Sequence, residues 1–226
     1  MYCLIVFVIV ILIFWYSKSQ EMFSNPIEYM SKDDVIKFLM KDGDGYLSRL
    51  KPMDFMKRNV SGLDEYKENI KDVVIDFTSR QKKILEKAVR RAQEIIDSKN
   101  SKYIESDLLS RLEWIFALTT NKNGKQYEMG LPHTRQNVIF LTPDVIFSDR
   151  IEDTLVHEKI HVYQKVYKNK FQKVLLKNGY KIVGLRENSN FRSNPDLDEH
   201  IYEKDGVLMR GEFESEHPNE EIAYSY

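Results

Sequence analysis

The chain has 226 residues, of which 42% are hydrophobic and 31% are charged. Its 34 Lys and Arg residues nearly balance 35 Asp and Glu residues, so the formal net charge of -1 offers no overall attraction for nucleic acid, and we expect no nucleic-acid partner. The one cysteine, Cys3, excludes both a disulfide framework and a cysteine-based zinc site within the chain.

An uninterrupted apolar and aromatic run opens the chain, from Tyr2 to Tyr16. As a helix, such a run spans about 23–26 Å, slightly less than the roughly 30 Å hydrocarbon core of a bilayer. Trp15 and Tyr16 are aromatic side chains typical of a membrane interface, and Lys18 follows them. We expect residues 1–17 to form a single-pass membrane anchor. The alternatives are a cleaved signal peptide of a secreted protein and a buried core helix, and the topology is not predicted.

A tether and a helical segment are predicted next. Residues 18–30 are polar and irregular, which is typical of a tether. Residues 31–112 are predicted to be mainly helical, because capping patterns and apolar residues at helical spacing recur along them. The predicted helices cover residues 33–40, 63–77, 79–98 and 106–112.

Residues 113–226 differ in character and are predicted to form an α+β core with a small sheet. Residues 114–120 and 137–141 are rich in β-branched and aromatic residues, which indicates two strands, and Asn123-Gly124 between them indicates a turn. Cap, proline and glycine signals predict the remaining elements. These are a short helix after Thr142-Pro143, a longer helix capped by Ser148, a helix over 170–178, and a hairpin over 202–214 around Lys204-Asp205-Gly206.

The longer helix carries the sequence His157-Glu158-Lys159-Ile160-His161. Helix positions four apart share one face, so His157 and His161 can direct their imidazoles at one metal ion. Glu158 then lies beside the ion and can accept a proton from a metal-bound water whose pKa the ion has lowered. Lys159 is unusual here, because its charge must reach solvent or find a partner. The pattern predicts a hydrolytic zinc site, with two unrelated histidines on a surface helix as the alternative.

This motif helix resembles that of the zincin superfamily of metallopeptidases, and the segment Asn219-Glu220-Glu221-Ile222-Ala223 is similar to the Asn-Glu-x-x-Ala segment of its gluzincin group. The resemblance implies a zincin-like domain that binds Zn²⁺ through His157, His161 and Glu220, with Glu158 as the general base. A third protein ligand and one open position are also what a catalytic zinc site needs.

Three other residues remain alternative third ligands, namely His217, Glu221 and His200. The spacer between His161 and Glu220 is long compared with the short-spaced members of the group.

The resemblance also implies an edge strand that lies along the cleft before the motif helix. Gly130-Leu131-Pro132-His133-Thr134 precedes the second predicted strand, so His133 is a candidate for stabilising the oxyanion, or else a turn histidine bonded to nearby backbone. Gluzincins also use a downstream tyrosine or histidine for this role, and Tyr202, His200 and Tyr224 are candidates that the sequence does not separate. The polar segment 192–198 is either a substrate loop or a solvated turn.

Together these features predict a membrane-anchored zinc metallopeptidase that hydrolyses peptide bonds in a peptide or protein substrate. The chain also resembles uncharacterised HExxH proteins encoded by large DNA viruses, through its motif and its Asp-Gly-Asp-Gly-Tyr and Pro-His-Thr segments. Two other functions stay open: a catalytically inactive membrane-anchored interaction protein, and a zinc hydrolase of non-peptide amides. A pairing edge strand would favour peptides, whereas a closed pocket would favour a small substrate. The oligomeric state is not predicted.

Overall fold

The computed structural model describes residues 26–186, 192–211 and 216–226. These residues have the predicted α+β fold, with helices packed on both faces of one sheet and a second, smaller sheet beside it. The predicted anchor or signal peptide, residues 1–17, and most of the predicted tether lie outside the described residues. Within the described ranges, no helix combines the length and the apolar character needed to cross a bilayer.

Most of the helices lie close to where the capping and periodicity patterns predict them. The helix over Pro52–Lys57 was not predicted, and the helix predicted over 63–77 ends at Val73, because Val74 and Ile75 pair as a strand with Thr119 and Leu118. In chain order the helices are α1 Lys32–Lys41, α2 Pro52–Lys57, α3 Leu63–Val73, α4 Ser79–Ser98, α5 Ser106–Ser110, α6 Pro143–Ile146, α7 Ile151–Val166, α8 Lys168–Lys177 and α9 Pro218–Tyr224. The strands are β1 Ile27–Tyr29, β2 Val74–Ile75, β3 Trp114–Thr119, β4 His133–Arg135, β5 Val138–Leu141, β6 Lys181–Leu185, β7 His200–Lys204 and β8 Val207–Met209. The predicted hairpin is confirmed as β7 and β8, joined by a turn at Asp205 and Gly206.

The larger sheet has the strand order β1-β3-β5-β4, and β2 also pairs with β3. One correction follows. Residues 27–29, which the sequence assigns to the tether, pair in parallel with β3 as β1. The predicted turn at Asn123-Gly124 is confirmed, with a bridge between Lys122 and Lys125, and the strands before and after it, β3 and β5, run parallel.

Successive side chains of β3 point to opposite faces of the sheet, which explains the unbroken apolar run from Trp114 to Leu118. Trp114, Phe116 and Leu118 belong to the hydrophobic cluster that contains α4 and α7. Ile115 and Ala117 belong to the cluster on the other face, which contains α1 and α3. A strand buried on both faces needs apolar residues at every position, and parallel strands are usually of this kind. The sheet therefore holds α7, the motif helix, at a fixed height above its surface.

The motif helix begins two residues later than its sequence signal suggests. Arg150 is the N-cap residue, and Ser148, the predicted cap, instead accepts a hydrogen bond through Oγ from the Arg150 N–H at 3.1 Å. The unusual Lys159 is fully buried and finds its partners inside the fold. Its ammonium donates to the carbonyls of Leu112 and Glu113 and lies 4.1 Å from the Trp114 ring centre. Burial lowers the pKa of Lys159 to about 7.

A buried ion pair fixes the turn that leads into β4. The Arg58 guanidinium donates to Glu128 Oε2 at 2.6 Å and to Asp54 Oδ1 at 3.2 Å, and all three side chains are at most 2% exposed. Tyr66 donates its hydroxyl to the second oxygen of Glu128. Burial would raise the pKa of Glu128, but the positive charge of Arg58, together with His133 and the hydrogen bonds from Arg58 and Tyr66, lowers it below its ordinary value.

Replacing Glu128 with glutamine is expected to lower the free energy of unfolding at pH 7 by about 3–5 kcal/mol, because Arg58 loses the opposite charge that compensates its burial. A carboxyl whose folded pKa is depressed stabilises the fold above its unfolded pKa of about 4.3, and this stabilisation is lost as the pH falls through the folded value. Urea unfolding at pH 7 and at pH 3 measures the effect. The difference between wild type and Glu128→Gln should shrink at pH 3, and a difference independent of pH would contradict the ion-pair account.

Candidate metal centre

Three ligand atoms from two helices meet beside the motif. His157 and His161 on α7 present Nε2 atoms 3.0 Å apart, and Glu220 Oε2 on α9 lies 3.2 Å from the first and 3.6 Å from the second. Tetrahedral bonds of about 2.0–2.2 Å place ligand atoms roughly 3.3–3.6 Å apart, close to the edges of this triangle. The His157, His161 and Glu220 group could therefore hold a metal ion.

The start of α9 explains why Glu220, and not a neighbour, joins the histidines. His217 is the N-cap residue, and its Nδ1 accepts a hydrogen bond from the Asn219 N–H at 3.2 Å. Pro218 at the first helical position suits this start. One residue beyond Glu220 the helix has turned away, and Glu221 accepts a hydrogen bond from the Tyr180 hydroxyl at 3.0 Å. His217 and Glu221, the alternative third ligands, are thus occupied elsewhere.

Gln164 orients the inner histidine. Its amide nitrogen donates to the carbonyl of Asn219 at 2.9 Å, so its oxygen accepts a hydrogen bond from His161 Nδ1 at 2.9 Å. With the proton on Nδ1, the lone pair of His161 Nε2 is directed at the candidate metal position. Gln164 was not among the predicted site residues, although its spacing of three from His161 places both on one helix face.

Electrostatics favour a proton or a cation within the group. Burial lowers the pKa of His161, but the negative charges of Asp196 and Glu220 outweigh burial and raise it to about 9. Burial raises the pKa of Glu220, but hydrogen bonds with His157 and His161 outweigh burial and lower it. A metal ion would therefore compete with a proton on His161, as is common for metal-binding side chains.

Glu158 lies beside the group without belonging to it. Its Oε2 accepts a hydrogen bond from the Thr134 hydroxyl on β4 at 2.9 Å, and the side chain is buried. Burial raises the pKa of Glu158 well above its ordinary value, and the negative charge of Asp196 adds to the effect. A carboxylate held in this way is a stronger proton acceptor than an exposed one, which suits a general base.

A cavity of about 610 Å³ opens over the candidate metal-binding group of His157, His161 and Glu220, called the metal group below. Its wall includes Glu158, His157 and Glu220, the loop residues Asn194 and Asp196, and side chains of β4 and α9. A cavity of this volume matches sites for small ligands.

His133 lines the same cavity, but in a protonation state that sequence reasoning did not foresee. Its Nδ1 lies 2.9 Å from the Leu131 carbonyl and must donate to it, because a carbonyl can only accept. Its Nε2 has no hydrogen-bond partner among the described residues. Burial lowers the pKa of His133, so the neutral ring presents an acceptor at Nε2. The predicted oxyanion role would require a second proton on this ring.

The other three candidates for stabilising the oxyanion differ in their positions relative to the cavity. Tyr202 is fully buried, donates its hydroxyl to Asp198 Oδ2 at 2.7 Å, and does not line the cavity, so its oxyanion role stays a prediction of the sequence. His200 Nδ1 lies 3.4 Å from the same carboxylate and is also outside the cavity wall. Tyr224 does line the cavity, and its ring centre lies 4.6 Å from that of His157.

Besides Gln164, sequence reasoning gave no role to the side chains of Thr134 and Asp196, although both lie in segments that the sequence marked, 130–134 and 192–198. Their importance depends on contacts between β4, α7 and the loop 192–198, which are remote from one another in the chain. In comparisons with known proteins, no protein-family model matches the sequence, and no curated protein or solved structure gives a significant match.

Proposed function

We propose that this protein is a zinc-dependent hydrolase of amide bonds, most simply of peptide bonds, with Glu158 as the general base. The observation that carries the proposal is the triangle of His157, His161 and Glu220 ligand atoms with a buried carboxylate next to it. The same arrangement supports the resemblance to zincins of the gluzincin group, in which a glutamate on a second helix completes the site.

Two nitrogen ligands and one carboxylate oxygen suit zinc in particular. Catalytic zinc sites commonly have three protein ligands of these types and keep a fourth position open for water or substrate. Hard cations such as Mg²⁺ and Ca²⁺ prefer ligand sets made of oxygen alone. The orientation of His161 by Gln164 is the supporting hydrogen bond that zinc-binding histidines usually have.

Once bound, zinc would polarise the scissile carbonyl and lower the pKa of the attacking water. The protein's own residues then handle the protons. Glu158 takes the proton of the water and delivers it to the leaving amine, while the Thr134 hydroxyl holds the carboxylate in place. Tyr224 is the better placed candidate for the oxyanion, since neutral His133 presents an acceptor at Nε2.

Zinc content and amide hydrolysis, measured on the same preparation, test the proposal. We expect about one zinc per chain, hydrolysis of a mixed peptide library detected by mass spectrometry, loss of activity with a chelator and recovery on adding zinc. A folded protein without bound metal would favour the inactive interaction protein instead. Attachment to a membrane through residues 1–17 stays a prediction of the sequence.

A further inference from the structure

The edge strand next to the metal group is covered. β4 is the last strand of its sheet, and its free side is where an added strand would pair. The N–H of Thr134 faces away from β5, because it donates to Asp196 Oδ1 at 2.7 Å. His133, Thr134 and Arg135 are only 2%, 0% and 1% exposed, far less than an open edge strand would be.

The covering segment is the loop 192–198, and it is fastened at its start. The N–H and hydroxyl of Ser193 donate to the carboxylate of Asp54 at 2.7 and 2.9 Å. The Ser193 carbonyl accepts hydrogen bonds from the Tyr46 hydroxyl and the Arg58 guanidinium, each at 3.1 Å. These partners belong to the buried ion-pair network around Glu128, so the loop begins on a rigid base.

The middle of the loop is fastened to the two helices that carry the metal group. The ammonium of Lys165 on α7 donates to the carbonyl of Pro195. The side-chain amide of Asn219 on α9 donates to the carbonyl of Asp196 at 3.3 Å. The N–H of Asp196 donates to Asn194 Oδ1 at 2.8 Å, which closes a turn and aims the carboxylate at β4.

This arrangement obstructs one mode of substrate binding. An extended peptide that adds to a sheet edge uses its carbonyl to accept from an outward N–H of the strand. At Thr134 a carboxylate oxygen already accepts from that N–H, which has only one hydrogen to donate, so a peptide carbonyl must displace the carboxylate to bind there. A charged acceptor also holds a backbone N–H more strongly than a neutral carbonyl does.

We propose that Asp196 is a specificity-determining residue that keeps extended chains off β4, so that the site takes short amides, of about di- or tripeptide size, into its cavity. The proposal rests on the proposed function and names its substrate class. The cavity volume of about 610 Å³ agrees with a small substrate, since sites for small ligands generally hold about 300–1,000 Å³.

Matched peptides test the proposal on the zinc-loaded protein. One is a blocked dipeptide amide, and the other is an octapeptide with the same two residues at its centre. For wild type we expect kcat/KM at least about tenfold higher for the short amide. For Asp196→Ala we expect the octapeptide to gain at least about tenfold, whereas Ser193→Ala, which alters the same loop but leaves Asp196 in place, keeps the wild-type ratio. A wild-type kcat/KM for the octapeptide that equals or exceeds that of the short amide would overturn the proposal.

Hydrogen exchange supplies a second test, which is made on the wild-type protein and depends neither on catalytic activity nor on the folding of a variant. The amide of Thr134 in zinc-loaded wild type should exchange at least about 100-fold more slowly than in an unstructured peptide. Rapid exchange there would show an open edge and also overturn the proposal. If the zinc-loaded protein cleaves neither peptide, the result counts against the proposed function. Slow exchange of the Thr134 amide would in that case still support the closed edge of β4.

Discussion

Replacing Glu220 with glutamine is expected to weaken zinc binding by about 100-fold, while the same replacement at Glu221 leaves it unchanged. Protein zinc sites bind with about 10–16 kcal/mol, so losing one of three protein ligands costs at least roughly 3 kcal/mol, or about two powers of ten. Glu220 Oε2 lies 3.2 Å from His157 Nε2, whereas Glu221 accepts from the Tyr180 hydroxyl. Competition with a chromophoric zinc chelator measures both affinities.

The pair of adjacent glutamates is a matched control, because both variants lose one carboxylate from the same helix and differ only in its direction. Circular dichroism should show the same fold for both. His161→Ala is expected to weaken zinc binding by at least as much as Glu220→Gln, since His161 is the buried, hydrogen-bonded ligand. Equal zinc affinities for Glu220→Gln and Glu221→Gln would show that α9 does not supply the third ligand.

Replacing Glu158 with glutamine is expected to lower the rate of amide hydrolysis by about 10²–10⁴-fold, the range usual for a general acid or base. Zinc affinity should stay within about threefold of wild type, because Glu158 lies outside the group of ligand atoms. Glutamine has the same shape and can keep the hydrogen bond with Thr134, so the change removes the proton acceptor and little else. Progress curves at saturating zinc, with one peptide substrate, measure the loss.

The Glu158→Gln variant is informative because it separates metal binding from proton transfer. A low rate together with normal zinc content supports the role of Glu158 as base. A low rate that accompanies lost zinc would instead mean that the carboxylate helps to hold the metal. A rate within about tenfold of wild type would contradict the proposed mechanism, even if zinc remains essential for activity.

Local patterns were sufficient for most of the helices and for the core of the site. A capping box of Thr78 and Gln81 begins α4 where the helix over 79–98 is predicted, because a cap depends on residues three apart. His157 and His161 converge for the same kind of reason, since one helical turn brings positions four apart onto one face. For these features the chain needs no remote partner to fix the geometry.

The sequence did not indicate features that depend on contacts between residues far apart in the chain. Residues 27–29 look like part of a tether, yet β3 supplies their hydrogen bonds and makes them a strand. Tyr202 is a plausible oxyanion donor in the sequence, but Asp198 accepts its hydroxyl hydrogen inside the fold. His133 does reach the cavity, but the Leu131 carbonyl sets its tautomer.

The sequence by itself determined the candidate ligand pair and the candidate base on α7, because helical geometry alone brings them together. Through the resemblance it also suggested Glu220, whose placement beside His157 and His161 depends on how α9 packs against α7. Only the tertiary structure decided that Thr134 and Asp196 belong to the site and that the loop 192–198 covers the edge of β4. The physical reason is that these contacts are hydrogen bonds between backbone and side chains far apart in the chain, which form only after the helices and the sheet have packed.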